Sequence, residues 1–144
     1  MAALVAPQAA WATGQQTFAA QFSMCHQTAG AGLPGQFPRL AGRVPQIASS
    51  PDGRRYLAMV LINGLYGPII VDRKPINGMM PAVASLSDQA IADVLNHAMT
   101  FPGYARKVAP FAASEIAGVR ASGRKSGNVV AAERSRLVAA KLIP

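Results

Sequence analysis

Cysteine is almost absent: Cys25 is the single one in 144 residues. One thiol cannot close an internal disulfide, so a disulfide framework is excluded. With only His26 and His97 beside it, a zinc site built from cysteine and histidine cannot be assembled either. Cys25 is therefore free, bonded to another chain, or used covalently. Acid is scarce as well, with 6 Asp and Glu against 14 Lys and Arg, and residues 1–38 carry no charged side chain. No apolar run approaches the length of a membrane-spanning helix. What is present is a chain of one-domain length, 51% hydrophobic and 14% charged, a balance that argues against disorder. So little charge leaves room for something apolar to be buried besides the core.

The charges gather late. Residues 104–144 hold eight basic and two acidic groups, or +6 of the net +8. This favours an acidic partner, a protein or a membrane surface, and acts chiefly on association rate. A nucleic-acid partner is not expected, because the basic residues are not interleaved with stacking aromatics and no DNA- or RNA-binding motif is present. Residues 1–12 are apolar and end Ala10-Trp11-Ala12, the small-x-small pattern of a signal-peptidase site, which reads as a signal-peptide remnant or a loose N-terminal extension.

Thr13-Gly14-Gln15-Gln16 has the form of a capping box and predicts a helix over about 14–25. Phe18, Phe22, Cys25 and His26 then share one face of it, at i, i+4, i+7 and i+8. Residues 29–53 are too rich in Gly and Pro for a helix and read as a long ordered loop. Ser50-Pro51-Asp52 predicts a helix start and Gly64 its end. A second loop covers 65–86, with no strand longer than Ile69 to Asp72. Helices are expected from Ser85 or Ser87 to about Thr100, around 114–121, and over about 128–142. That last helix is expected to pack through Val130, Leu137, Val138 and Leu142, or to act as a docking element.

Phe22-Ser23-Met24-Cys25-His26 resembles the haem-attachment motif C-x-x-C-H of c-type cytochromes, with Phe22 at the first cysteine. Three further segments carry the same resemblance. Gly30-Ala31-Gly32-Leu33-Pro34-Gly35-Gln36-Phe37-Pro38-Arg39-Leu40-Ala41-Gly42 is similar to the family's glycine- and proline-rich loop. Gly78-Met79-Met80-Pro81-Ala82 resembles its G-x-M-P-A segment, and Ser85-Leu86-Ser87-Asp88 through Leu95 resembles the helix that follows. Gly14 and Phe18 stand where the family's N-terminal helix crosses its C-terminal one, and His97 replaces an aromatic of the latter. The resemblance implies an all-α class I cytochrome c fold, helices wrapped around one haem c with long ordered loops. The haem-binding domain would be 13–122, followed by a basic linker and helix over 123–144.

The same resemblance implies the site. Cys25 would form a single thioether to a haem vinyl, and His26 and Met80 would ligate the iron 54 positions apart in sequence, with Met79 the competitor for the second place. The Pro38 carbonyl would fix the tautomer of His26. Phe22, Leu40, Tyr56 and Met59 would line the haem, with Leu57, Val60 and Leu61 near. Arg39, Arg43, Arg54 and Arg55 are candidates for a propionate, with solvated surface as the alternative. The implied role is an electron carrier, not an enzyme, exported to the periplasm rather than to a mitochondrial intermembrane space. It would shuttle between a dehydrogenase and a terminal acceptor through partners with acidic docking surfaces. The alternative is a fixed subunit of a larger oxidoreductase or respiratory complex, haem-poor or haem-loaded, with a structural or docking role and association with that complex or a membrane.

Overall fold

The computed structural model describes residues 8–144, with side chains from Thr13 onward. The described chain runs α1 (Gln8–Gln21), α2 (Ser23–His26), α3 (Arg43–Ile47), α4 (Pro51–Asn63), β1 (Leu65–Tyr66), β2 (Ile69–Val71), β3 (Lys74–Ile76), β4 (Met79–Met80), α5 (Asp88–Ala98), α6 (Ala113–Ala121) and α7 (Gly127–Ala139). It is mostly helical, as the all-α expectation requires. Residues 1–7 of the expected signal remnant lie outside the described residues.

Local chemistry sets several boundaries. Ser50 Oγ accepts from the Gly53 amide at 3.0 Å, Pro51 takes the first helical turn where its missing N–H is harmless, and Gly64, at φ +78°, ends α4. Ser87 and Ser126 cap α5 and α7 in the same way, accepting from Ala90 and Val129. The capping box at Thr13 does not start its helix, because α1 already runs from Gln8 and Thr13 lies inside it. The helical ladder nearly continues through Phe22: its amide reaches the Phe18 carbonyl and its carbonyl accepts from His26, both at 2.9 Å.

The two loops hold more structure than their composition suggests. Pro45 sits in the first turn of α3, where a helix loses no hydrogen bond to proline. Residues 65–80 form two small antiparallel pairs, Leu65 opposite Met80 and Ile69 opposite Ile76. Helix α1 crosses α5 at Gly14, where a Cβ would stand 2.4 Å from the Asp93 carbonyl oxygen. Only glycine permits that approach. Helix α4 is the central rod, buried almost continuously from Tyr56 to Ile62.

Helices α6 and α7 pack on α4. Ile116, Val130 and Leu137 are fully buried there, whereas Val138 and Leu142 stay largely exposed and Ile143 is buried instead. Two ion pairs clamp this packing, Arg54 to both oxygens of Glu115 (2.7 and 2.9 Å) and Arg55 to Glu133 (2.6 Å). Among the described residues no helix is long and apolar enough to cross a membrane.

Candidate functional site

Between α1, α3, α4, α5 and the strands lies a cavity. Its wall is apolar: Phe18 and Phe22 on one side, Val44 and Ile47 of α3, Leu57, Val60 and Leu61 of α4, Val94, Leu95 and Ala98 of α5, and Leu65, Ile69 and Val71 from the strands. Leu40, Pro38 and Tyr56 complete it. The lining side chains that carry a heteroatom are few: His26, Met80, Tyr56, Arg39, Arg43 and Arg134.

His26 ends α2 and is 5% exposed. The loop after it folds back: the Gly32 amide donates to the His26 carbonyl at 2.9 Å, and Leu40 donates to Gly30 at 2.8 Å. Gly32 has φ +64°, and a Cβ there would meet the Phe37 carbonyl at 2.6 Å, so the return needs glycine. This brings the Pro38 carbonyl to 2.8 Å from His26 Nδ1. Burial pushes the imidazole below its ordinary pKa, and the hydrogen bond to Pro38 offsets part of that. With Nδ1 as donor, the neutral ring keeps the lone pair of Nε2 for another bond.

Met80 and Met79 are separated by the period of a strand. Adjacent strand residues face opposite sides, and Met80, half-buried opposite Leu65, lines the cavity while Met79 is 61% exposed. Cys25 is partly exposed, beside the solvent-facing Met24, and does not line the cavity. Phe22 is buried, its ring 5.8 Å from Phe18 at 16°, and Phe18 in turn contacts His97 and Phe101.

Met59 is a departure from expectation. It is buried in the core but does not line the cavity, and its sulfur lies 3.8 Å from Arg55 Nη1. Arg54 and Arg55 are likewise committed to Glu115 and Glu133 on the far side of α4, so neither can serve an anion in the cavity. Arg39 and Arg43 do reach it.

Sequence reasoning missed Arg134. It projects from α7, is 5% exposed, donates to the Ile70 carbonyl at 3.0 Å and stands 5.9 Å over the Tyr56 ring. Burial pushes the Tyr56 phenol upward while Arg134 opposes the rise. Arg43, 7% exposed, is pushed down first by burial and then by the charge of Arg134. The Asp72 carboxylate stands 3.6 Å from Arg43, and Arg134 has no ion pair among the described residues. Buried positive charge in such excess is costly unless an anion balances it.

The donor set thus has a definite chemistry. One neutral imidazole and one thioether open on an apolar slot, and two buried cations stand at its edge. Among the described residues no cluster of three or more His, Cys, Asp or Glu could hold a bare metal ion. A flat apolar macrocycle that brings its own iron and carries carboxylates fits these residues.

The chain matches no family model. It is 46% identical over 121 residues to a cytochrome c-552 of Thermus thermophilus, covering 82% of this chain and 92% of that protein. To a second cytochrome c-552 of the same species it is also 46% identical over 121 residues, with 82% of this chain and 81% of that protein covered.

Proposed function

The chain belongs to the class I c-type cytochromes, and we propose that it works as a one-haem electron carrier with His26 and Met80 as axial ligands and Cys25 as its single covalent tether. Members of the family bind haem c and carry electrons rather than catalyse reactions. When bound, the haem supplies a one-electron iron couple, and paired imidazole and thioether ligands raise its potential. The observation that carries this reading is the convergence of a buried neutral imidazole and one of two adjacent thioethers on a single apolar cavity.

Each residue has a separable task. Pro38 holds the His26 ring in one tautomer, so the nitrogen that meets the iron carries no proton. Cys25 would tether the haem as a thioether, its S–H adding across a vinyl group with the sulfur on one carbon and the hydrogen on the other. Phe22 has no thiol to add and would contribute an apolar wall, its ring stacked on Phe18. Arg43 and Arg134, with Arg39 at the mouth, supply positive charge to the propionates. The apolar wall would keep water from the bound group.

The haem module is assigned to 13–122, and 123–144 adds Arg134 to its pocket. The net charge of +8 suits acidic docking surfaces on a donor dehydrogenase and an acceptor, and export to the periplasm suits the maturation of a covalent haem. The test is a pair of neighbours. Met80→Ala should abolish the thioether-ligated low-spin spectrum while Met79→Ala leaves it intact. A Met80→Ala spectrum identical to that of the parent would reject the assignment.

A further inference from the structure

The tip of the β2–β3 hairpin adopts a conformation that its residues do not favour. Val71 pairs with Lys74, so the turn has two residues, Asp72 and Arg73, at φ +51° and +66°. Two-residue turns with both φ values positive favour Asn or Asp followed by Gly. Arg73 takes the second place without being glycine, and strain of this sort persists only where the surroundings hold it.

What holds it is the side chain of Asp72. Arg39 Nε and Nη2 each donate to one of its oxygens at 2.9 Å, the two-pronged geometry that makes the strongest pairs. Arg43 Nη1 stands 3.6 Å from the same carboxylate. Arg39 follows Pro38, the partner of His26, and both arginines line the cavity. One carboxylate therefore ties the hairpin to the histidine loop and faces the cations at the cavity mouth. Arg39 beside it keeps the carboxyl below its ordinary range, so it is charged at neutral pH.

We propose that Asp72 is a positioning residue that sets the haem potential: it fixes Arg39 and Arg43 at the cavity mouth and offsets part of their charge, holding the midpoint lower than free guanidiniums would. This rests on the haem reading above. The ferric centre carries one more positive charge than the ferrous one, so a nearby negative charge favours the ferric state and nearby positive charge the ferrous.

Asp72→Asn tests it, because asparagine accepts the left-handed backbone as aspartate does, while the charge and one of the two acceptor oxygens for Arg39 are lost. Redox titration should find the ferrous-to-ferric ratio at a fixed poise raised about threefold or more, where tenfold corresponds to 59 mV for one electron. Added salt should shrink the shift, since the Asp72 side chain is 46% exposed. Hydrogen exchange of the amides in 69–76 should quicken, a readout independent of electron transfer. Should the variant fail to load haem, Arg39→Gln carries the test with the opposite sign, a lower midpoint. A reversible couple at the parent midpoint in Asp72→Asn, or in Arg39→Gln where that variant is needed, would overturn the inference while leaving the cytochrome reading intact. A parent protein without haem would overturn both.

Discussion

Replacing Gly14 by alanine should destabilise the protein even though alanine is the better helix former. The new Cβ would stand 2.4 Å from the Asp93 carbonyl oxygen and 2.9 Å from its carbon, against 3.4–4 Å for ordinary contact. Both obstacles are backbone, so α1 and α5 must part by about 1 Å. A gap of that order forfeits a quarter to a half of the dispersion energy at each contact it opens, and Phe18, Ile91 and Val94 all pack nearby. Because backbone cannot rotate away, the overpacking cost falls in the upper part of its usual range, about 2–3 kcal/mol, and the helix propensity returns only about 1 kcal/mol. The expected net loss is about 1–2 kcal/mol, a fall in Tm of roughly 3–8 °C for a chain of this size. Gly118 is the control. It lies exposed in α6, and a Cβ added there would have nothing within 4 Å, so Gly118→Ala should gain up to about 1 kcal/mol. Guanidinium denaturation of the haem-loaded proteins reads both. A Gly14→Ala variant as stable as the parent would refute the close crossing.

Three further outcomes are expected. Arg54 holds the Glu115 carboxyl below its ordinary value of 4.5, so the stability from this pair is complete above that pH and is lost as pH falls through the lowered value. Glu115→Gln should weaken the protein at neutral pH and flatten that acid-side loss, as denaturation at stepped pH would reveal. Phe22→Cys should add a second thioether, moving the reduced pyridine haemochrome band to the position of ordinary haem c; an unmoved band would mean that this side chain does not face a vinyl group. Arg134→Met should lower the midpoint potential, because it removes positive charge at the cavity edge, and an unaltered redox titration would remove Arg134 from the site.

Much of this architecture is legible where the determining interactions are local. Ser50, Pro51 and Gly64 mark α4 because capping and positive φ are settled within four residues. The same logic misleads at Thr13, where a capping-box pattern lies inside a helix that begins earlier. Apart from the short one expected from Ile69, the strands escape a sequence reading because their partners are remote: Leu65 pairs with Met80 across a loop, and two- or three-residue strands have too little alternation to register. Proline at position 45 hides α3, since composition cannot tell a first-turn proline from a helix breaker.

The site divides along the same line. Cys25, His26, Pro38 and Met80 stand out through motif and spacing, and pairing with Leu65 is what separates Met80 from Met79. Arg134 carries no such signal. On α7 it looks like one more cation of a basic helix, and its burial depends on α7 lying across α4 and β1. Its one trace in the sequence is its spacing: Val130, Arg134 and Leu137 fall at i, i+4 and i+7, placing a charge on the apolar face. Met59 errs the other way, for it shares a helix with the cavity-lining Tyr56 and Val60 but faces the core.

The central claim is one haem, joined to the chain through Cys25 alone. Intact mass together with the reduced pyridine haemochrome spectrum measures it directly. The account predicts the polypeptide plus one haem, surviving denaturation, with a band between those of b-type and ordinary c-type haem because one vinyl group stays unreacted. Correctly matured protein with no haem adduct, or with the band of a doubly attached haem, would contradict it.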